Sequence, residues 1–186
     1  MTNYGVILAD PPWSYNNSGT RGAAANIYPT MTDADIQALP IGELAAPDCV
    51  LLMWATWPKL AEACIPTIAA WGFDYVTAFP WVKITQVSRD LWGELQIQVP
   101  YGVGFWARGT SEPLLIAKRG NPKPPPNGFI GLLSPNLSHS RKPESVYEYA
   151  EALPGPYLEL FARRKREGWD SWGNQVSSDI QIGVTL

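Results

Sequence analysis

The feature that most constrains this chain is an apolar run that ends abruptly at one carboxylate and two prolines, Asp10-Pro11-Pro12. Residues 4–9 are numerous enough for a buried strand and too few for a helix. Pro11 and Pro12 lack a backbone N–H and fix φ, so neither a strand nor a helix continues through them. The pattern predicts that Asp10 lies just beyond the carboxyl end of a strand, where open α/β sheets bind their ligands.

A carboxylate, a carbonyl on a stiff turn and an indole together suit a planar exocyclic amine. The lone pair of such an amine is conjugated with its ring, so the nitrogen attacks an electrophile only when acceptors hold both N–H bonds. Asp10 and the Pro11 carbonyl would be those acceptors, and Trp13 would give the base an apolar surface for stacking. Such catalysis works by positioning, and enzymes that act on bases commonly stack the extruded base on aromatic rings.

The tetrapeptide Asp10-Pro11-Pro12-Trp13 resembles the catalytic signature of the MT-A70-like methyltransferases. These enzymes transfer a methyl group from S-adenosylmethionine (SAM) to N6 of adenine in RNA or DNA. Further segments resemble the family in the family's order, over nearly the whole chain. They are Tyr28-Pro29-Thr30-Met31, Trp81-Val82-Lys83, residues 118–122, Arg141-Lys142-Pro143-Glu144, Glu159-Leu160-Phe161 and Gly173-Asn174-Gln175.

The alternation of strands and helices predicts an α/β, three-layer domain. The resemblance implies a Rossmann-like SAM-dependent methyltransferase fold with a mostly parallel sheet, in which the catalytic motif precedes the SAM-binding motif. It also implies a catalytic group and a SAM-binding group. The catalytic residues are Asp10, Pro11, Pro12 and Trp13. The SAM-binding residues are Asp10, Lys118, Glu159, Leu160, Phe161, Arg163, Asn174 and Gln175.

A third group is expected to contact nucleic acid. Its members are Tyr28, Trp81, Lys83, Trp106, Arg108, Arg141 and Lys142. Exposed aromatics beside arginines, such as Trp106 with Arg108, are the materials of base stacking, although most aromatics in a protein belong to its core. Lys83 follows the strand that resembles the family's strand near the target base. It is expected either to point into the site or to cap surface carbonyls.

The chain departs from the family pattern in two places. Ala162 replaces the family's glycine, and Lys165 stands where some members have histidine.

Longer relatives also have an Asp-Ile pair upstream of the catalytic strand, which packs on the cofactor's adenine and is not found here before Asp10. The tail contains Asp179-Ile180, and we hypothesise that this pair supplies the contact. Deletion of residues 177–186 should then weaken SAM binding.

Composition predicts one soluble globular domain over residues 1–186, with 46% hydrophobic and 17% charged side chains. The start has no basic region before its apolar run, and no apolar run is long enough to span a bilayer, so a cytoplasmic location without membrane contact is expected. Cys49 and Cys64 are the two cysteines and should be buried, reduced thiols on a strand and a helix.

The net charge of −3 conceals an uneven distribution. Residues 118–166 hold nine Lys and Arg against four Glu, a local balance of +5, whereas residues 1–117 have a balance of −5. If the basic segment gathers on one face, it could meet a phosphate backbone; the alternative is an ordinary solvated face.

Periodicity and turn residues divide the rest of the chain into elements. The predicted strands cover residues 48–54, 75–82, 112–117, 129–133, 157–161 and 169–172. Thr32 should cap a short helix, and Thr56 a helix over residues 57–71 that Pro66 kinks or splits and Gly72 ends. Pro143 should begin a helix whose buried face comprises Val146, Tyr149, Ala150 and Leu153. Pro80 suggests an edge position or a bulge.

Two long connections, residues 14–28 and 90–108, are interpreted as a lid and a second substrate-facing loop. His139 is the only histidine and there is no cysteine pair, so no metal site is expected.

Two other functions compete with methyl transfer. A non-catalytic nucleic-acid-binding partner would keep the fold, but such relatives lose the aspartate or tryptophan, and both are present here. A nucleotide hydrolase would require a phosphate-binding Gly-rich loop, which the sequence lacks. DNA is favoured over RNA by resemblance alone, and a homodimer is left open.

Overall fold

The computed structural model describes residues 3–15, 30–100, 106–126, 128, 132–135 and 142–183. The strands within these residues are β1 (Tyr4–Ala9), β2 (Ala45–Trp54), β3 (Asp74–Ile84), β4 (Gln86–Arg89), β5 (Leu95–Gln98), β6 (Ser111–Arg119), β7 (Leu132–Pro135), β8 (Tyr157–Leu160) and β9 (Trp169–Trp172). The α-helices are α1 (Asp33–Gln37), α2 (Ile41–Leu44), α3 (Ile65–Ala70) and α4 (Ser145–Glu151). None of these helices is both long and apolar enough to cross a bilayer.

Seven strands form one sheet in the order β7-β3-β6-β2-β1-β8-β9, and β6 alone runs antiparallel to its neighbours. The mostly parallel α/β sheet predicted from the sequence is therefore confirmed. β1 lies between β2 and β8, with Val6 opposite both Val50 and Tyr157. The strand predicted to carry the catalytic motif thus precedes in sequence, but adjoins in space, the strand predicted to bind SAM.

The middle of the sheet is covered on both faces, since β1 and the second half of β2 are buried at nearly every position rather than at alternate ones. Ile7 and the residues that share its face pack against Ile36 of α1 and Ile68 of α3. Leu8 and its face pack against α4. The α4 residues in that core are Val146, Tyr147 and Ala150, so Tyr147 rather than the partly buried Tyr149 belongs to the buried face. The predicted three-layer arrangement is confirmed.

The helix predicted over residues 57–71 is divided into three parts. A 3₁₀ turn at Trp57–Lys59 and a π turn at Leu60–Cys64 precede α3, which contains Pro66 in its first turn. Proline cannot donate to the carbonyl four residues earlier and its ring crowds that carbonyl, which explains the change of helical pitch before α3. Thr56 makes no capping hydrogen bond and instead accepts one from the Tyr15 hydroxyl at 2.5 Å.

Two other predicted ends are confirmed. Thr32 caps α1 by accepting a hydrogen bond from the Asp35 amide at 3.1 Å. Gly72 has a φ of +80°, the left-handed conformation that ends helices and that glycine adopts without a Cβ clash.

Pro80 lies in β3 opposite Pro113 of β6, so neither residue costs that ladder a donor. β3 also pairs with β7, from Trp81 to Ile84, so it is an internal strand and not an edge strand. The bulge lies elsewhere, between Tyr75 and Thr77.

The connection over residues 90–108 was predicted as a loop, but much of it is a hairpin. β5 pairs with β4, and Asp90 closes the turn by accepting hydrogen bonds from the amides of Trp92 and Glu94, each at 2.9 Å. Period-two alternation of glutamines with aliphatic residues in β5 was the signal available. The lid predicted at residues 14–28 falls mostly outside the described residues, as does residue 139.

Both cysteines are buried and free, as predicted. Cys49 lies on β2 and Cys64 in the π turn. Burial raises the pKa of Cys49 to about 12 and that of Cys64 to about 11.

The C-terminal tail contributes to the core through Ile182, which is 4% exposed and belongs to the cluster on the α1 and α3 face. We expect Ile182→Ala to lower the free energy of unfolding by roughly 2–4 kcal/mol, because it leaves a cavity. Urea unfolding measures this change. The exposed neighbour Gln181 provides the control, since Gln181→Ala should change the stability by less than about 0.5 kcal/mol. Equal effects of the two substitutions would contradict a core position for Ile182.

Candidate active site

Asp10 lies immediately after β1, at the edge of the sheet where the parallel strands end. Its amide points toward the Leu160 carbonyl at the end of β8, at 3.5 Å. Two backbone hydrogen bonds hold the turn that follows. The Trp13 amide donates to the Pro11 carbonyl at 2.9 Å, and the Met31 amide donates to the Pro12 carbonyl at 3.0 Å. The Pro11 carbonyl thus has one lone pair engaged and one left for a ligand.

Trp13 is a core residue rather than an open stacking surface. Its ring is 4% exposed, and its indole N–H donates to the Trp54 carbonyl at the end of β2, at 3.3 Å. The prediction that Trp13 stacks on the base is therefore corrected: the indole anchors the turn after β1 to β2. Burial of an aromatic ring and a partner for its N–H go together in this way.

Lys142 contacts the Asp10 carboxylate directly. Its Nζ lies 3.2 Å from Asp10 Oδ1, 2.7 Å from Glu112 Oε2 and 4.8 Å from the centre of the Trp54 ring. Burial alone would lower the pKa of Lys142, but Asp10 and Glu112 raise it, so the ammonium stays charged. The sequence placed Lys142 among the nucleic-acid contacts, whereas here it holds the aspartate.

Glu112 is a site residue that sequence reasoning missed. It stands near the beginning of β6 and pairs with both Lys142 and Lys83. Burial alone would raise the pKa of Glu112, but the two lysines lower it. Because β6 runs antiparallel, its beginning lies at the edge where β1 and β2 end. The sequence shows a carboxylate at the start of a strand, but only strand direction places that carboxylate beside Asp10.

Two of the residues predicted to contact nucleic acid, Trp81 and Lys83, lie on β3. Lys83 is part of the charged chain through Glu112, and its Nζ lies 4.9 Å from the centre of the Trp81 ring. It therefore borders the site rather than capping surface carbonyls. Trp81 is buried and packs edge-on against Trp54, with ring centres 5.7 Å apart, which is core packing.

Glu159 stands next to last in β8, beside β1. Its Oε1 accepts a hydrogen bond from the Tyr147 hydroxyl at 2.9 Å, and its buried Oε2 has no hydrogen-bond partner among the described residues. Burial raises the pKa of Glu159 to about 7, opposed by the Tyr147 hydrogen bond and reinforced by the charge of Asp10. A buried acceptor without a donor is costly, so this oxygen suits a hydroxyl of a bound molecule.

The turn after β8 contains the rest of the predicted SAM-binding segment. Leu160 is buried, and Phe161 has a φ of 61°, which is rare for a residue with a side chain and is found at turns that serve a site. Its ring packs edge-on against Trp172 at 5.4 Å. Arg163 is partly buried in the same turn.

The turns after β8 and β9 touch each other. The Ala162 amide donates to the Trp172 carbonyl at 2.9 Å, and a Cβ on Gly173 would lie 2.2 Å from the Ala162 carbonyl oxygen. Only glycine fits there. Asn174 and Gln175 follow as exposed residues, so the structure brings these two segments of the predicted cofactor site together.

Lys118 is not part of this site. It lies near the end of β6 opposite Val50 and Asp74, which are near the beginnings of β2 and β3. Because β6 is antiparallel, its end lies at the edge of the sheet remote from Asp10. The assignment of Lys118 to SAM is therefore corrected, and Lys142 is the lysine found beside Asp10.

Asp179 and Ile180 are tied to β9. Asp179 Oδ2 accepts from the Ser171 amide at 2.9 Å, and Oδ1 pairs with Lys165 at 2.5 Å, which lowers the Asp179 pKa. Ile180 packs against the core. The proposed role of this pair in SAM binding remains a prediction, and removal of residues 177–186 would also remove Ile182 from the core.

The predicted basic face is largely neutralised where it is described. Arg164 and Arg166 pair with Glu144, Arg166 also pairs with Glu151, and Lys165 pairs with Asp179. Trp106 and Arg108 are exposed, Trp106 fully so. Tyr28 and Arg141 lie outside the described residues.

No group of three or more His, Cys, Asp or Glu in the described part of the chain could hold a metal ion.

Comparison with known proteins identifies the family. The MT-A70 family model matches residues 4–175. The human N(6)-adenine-specific methyltransferase METTL4 is 35% identical over 93% of this chain and 37% of its own length.

The Type II methyltransferase M.MunI of Mycoplasma sp is 30% identical over 93% of this chain and 78% of its own length. The N6-methyladenosine RNA methyltransferase MTA1 of Pyricularia oryzae is 33% identical over 94% of this chain and 47% of its own length. The chain thus spans less than half of METTL4 and of MTA1. With the match covering the nine strands of the described residues and the turn after β1, the chain belongs to the MT-A70 family.

Proposed function

We propose that residues 1–186 act as a single methyltransferase domain that transfers a methyl group from SAM to N6 of adenine in nucleic acid, with DNA the preferred polymer. The names of METTL4 and MTA1 support adenine N6 as the acceptor. The observation that carries the proposal is the position of Asp10 at the end of β1, held by Lys142 and adjoining Glu159 of β8.

Asp10 would accept a hydrogen bond from the amino group of the target adenine. Lys142 binds one oxygen of this carboxylate and thereby restricts its rotation. The second acceptor is the remaining lone pair of the Pro11 carbonyl, fixed by the turn that Trp13 anchors. An amine held by two acceptors presents its nitrogen lone pair toward the donor, so the protein contributes orientation rather than a tuned base.

The residues beside Asp10 fit SAM. Bound SAM supplies a methyl group activated by its positive sulfonium. The partnerless Oε2 of Glu159 would accept a hydrogen bond from a cofactor hydroxyl. Arg163, Asn174 and Gln175 lie in the two touching turns after β8 and β9, where they would hold the rest of the cofactor.

Tritium transfer from labelled SAM to oligonucleotides tests this function. Matched DNA and RNA oligomers should accept label only when they contain unmodified adenine, and oligomers in which N6-methyladenine replaces adenine are the control. Mass spectrometry of the digested product should then find N6-methyladenine nucleoside. Absence of SAM binding by calorimetry, or label at another base, would contradict the proposal.

RNA is the second candidate polymer, and the RNA methyltransferase name of MTA1 favours it. The same assay distinguishes the two, since the preferred polymer should show the higher kcat/KM at equal length and sequence.

A further inference from the structure

A buried hydrogen bond joins helix α4 to Glu159. Tyr147, in the first half of α4, is 4% exposed and donates to Glu159 Oε1 at 2.9 Å. The strand neighbours of Glu159 in register are Leu8 on β1 and Ser171 on β9, both without charge. Tyr147 is therefore the group that sets the direction of the Glu159 carboxylate from the helical layer.

The Tyr147 ring is held in place by two arginines from the turn after β8. The guanidinium carbons of Arg166 and Arg164 lie 4.4 Å and 5.9 Å from the ring centre. Arg166 is in turn bound by Glu144 and, at 2.7 Å, by Glu151. A ring fixed on this side by charged groups that are themselves paired has little freedom to turn its hydroxyl away from Glu159.

The charge of Glu159 is set by groups from three elements. Burial favours the neutral acid, the Tyr147 hydrogen bond favours the anion, and the charge of Asp10 opposes ionisation. Arg164 and Arg166 favour the anion. The pKa of about 7 means that both forms are populated at neutral pH. Because the ionised carboxylate is the better acceptor for a hydroxyl, any loss of the Tyr147 bond should weaken a ligand on Oε2.

We propose that Tyr147 is a positioning residue for the cofactor: its hydroxyl holds one oxygen of Glu159 so that the buried, partnerless second oxygen accepts a hydrogen bond from a cofactor hydroxyl. This inference rests on the proposed function, since it takes Glu159 to bind SAM. It links α4, which carries no residue of the family motifs on its buried face, to the cofactor.

The first test needs no cofactor. In protein with ¹³C-labelled glutamate side chains, Tyr147→Phe should raise the titration midpoint of Glu159 by about one pH unit, because it removes a hydrogen bond to the charged form. Glu159→Gln identifies the signal. Tyr149→Phe removes a hydroxyl from the same helix and should leave the midpoint unchanged. An unchanged midpoint in Tyr147→Phe would overturn the proposal.

The second test measures SAM affinity by calorimetry between pH 6 and pH 9. Tyr147→Phe should bind SAM more weakly than the wild type at every pH, because Glu159 is no longer oriented, and an additional factor of about five at pH 7 should disappear by pH 9, where Glu159 is ionised in both. In the Glu159→Gln background, Tyr147→Phe should have no further effect.

A loss of the same factor at every pH would indicate a merely structural role for Tyr147 and overturn the proposal. Failure of the wild-type protein to bind SAM at any pH would instead overturn the proposed function, and the inference with it.

Discussion

Asp10→Asn is expected to lower the rate of methyl transfer by about 10²–10³-fold, the range found when one preorganised polar contact to a reacting group is removed. The amide keeps the size of the carboxylate but replaces one acceptor oxygen with an N–H donor. That donor would face either Lys142, which lies 3.2 Å from Asp10 Oδ1, or the amine of the target base. Single-turnover transfer of labelled methyl measures the rate, and calorimetry measures SAM affinity separately.

Asp74→Asn is the matched control. Asp74 is exposed and begins β3, at the edge of the sheet remote from Asp10, so the same loss of charge there should leave the rate unchanged. If Asp10→Asn methylates at the wild-type rate with wild-type SAM affinity, Asp10 does not hold the amine.

Lys142→Met is expected to destabilise the protein by roughly 2–4 kcal/mol at pH 7, since removal of one partner leaves buried charge uncompensated. Lys142 stands between Asp10 and Glu112, at 3.2 Å and 2.7 Å. Without it, the two carboxylates lose their common cation and Glu112 retains Lys83 alone. Urea unfolding gives the stability. The exposed pair Lys165–Asp179 provides the contrast, because Lys165→Met should cost less than about 1 kcal/mol.

The destabilisation should depend on pH in a defined direction. The folded-state pKa of Glu112 is below its ordinary value of 4.5, so its contribution to stability is present above pH 4.5 and is lost as the pH falls through the folded value. The folded-state pKa of Lys142 is above 10.5, so its contribution is complete below that pH. The difference in stability between wild type and Lys142→Met should therefore be largest between pH 5 and pH 10 and shrink as the pH falls below 4.5 through the folded-state pKa of Glu112. An equal difference at pH 7 and pH 3 would contradict the ion-pair explanation.

The parts of the fold that depend on local sequence were predictable. β1 ends at two prolines, α1 begins at a capping threonine, and Gly72 ends α3, because each signal acts within a few residues. The hairpin of β4 and β5 was missed although β5 alternates glutamine with aliphatic residues, because its strands form a small exposed sheet of their own and are too short for that alternation to stand out.

The sequence predicted the positions of site residues only where those residues stand at the ends of parallel strands. Asp10 and Glu159 were placed correctly at one edge, because both follow or end strands of the same direction. Lys118 was misplaced and Glu112 was missed for the same reason, since the antiparallel direction of β6 exchanges the two ends of that strand. The sequence does not encode strand direction locally; it emerges from which strands pair.

Trp13 was misjudged for another reason. The pattern that marks an active-site tryptophan is also that of a buried anchor, and only the carbonyl of Trp54, 41 residues away, distinguishes the two.

The pairing of β1 with β8 has a consequence for biosynthesis. While the ribosome is still translating the residues between β1 and β8, the nascent chain already contains β1 and Asp10. It still lacks β8, which pairs with β1 in the folded protein. Residues 157–172 have to be released and inserted beside β1 before β8 and β9 can join the sheet. Until then, the incomplete chain lacks the two strands whose following turns the proposed function assigns to the donor.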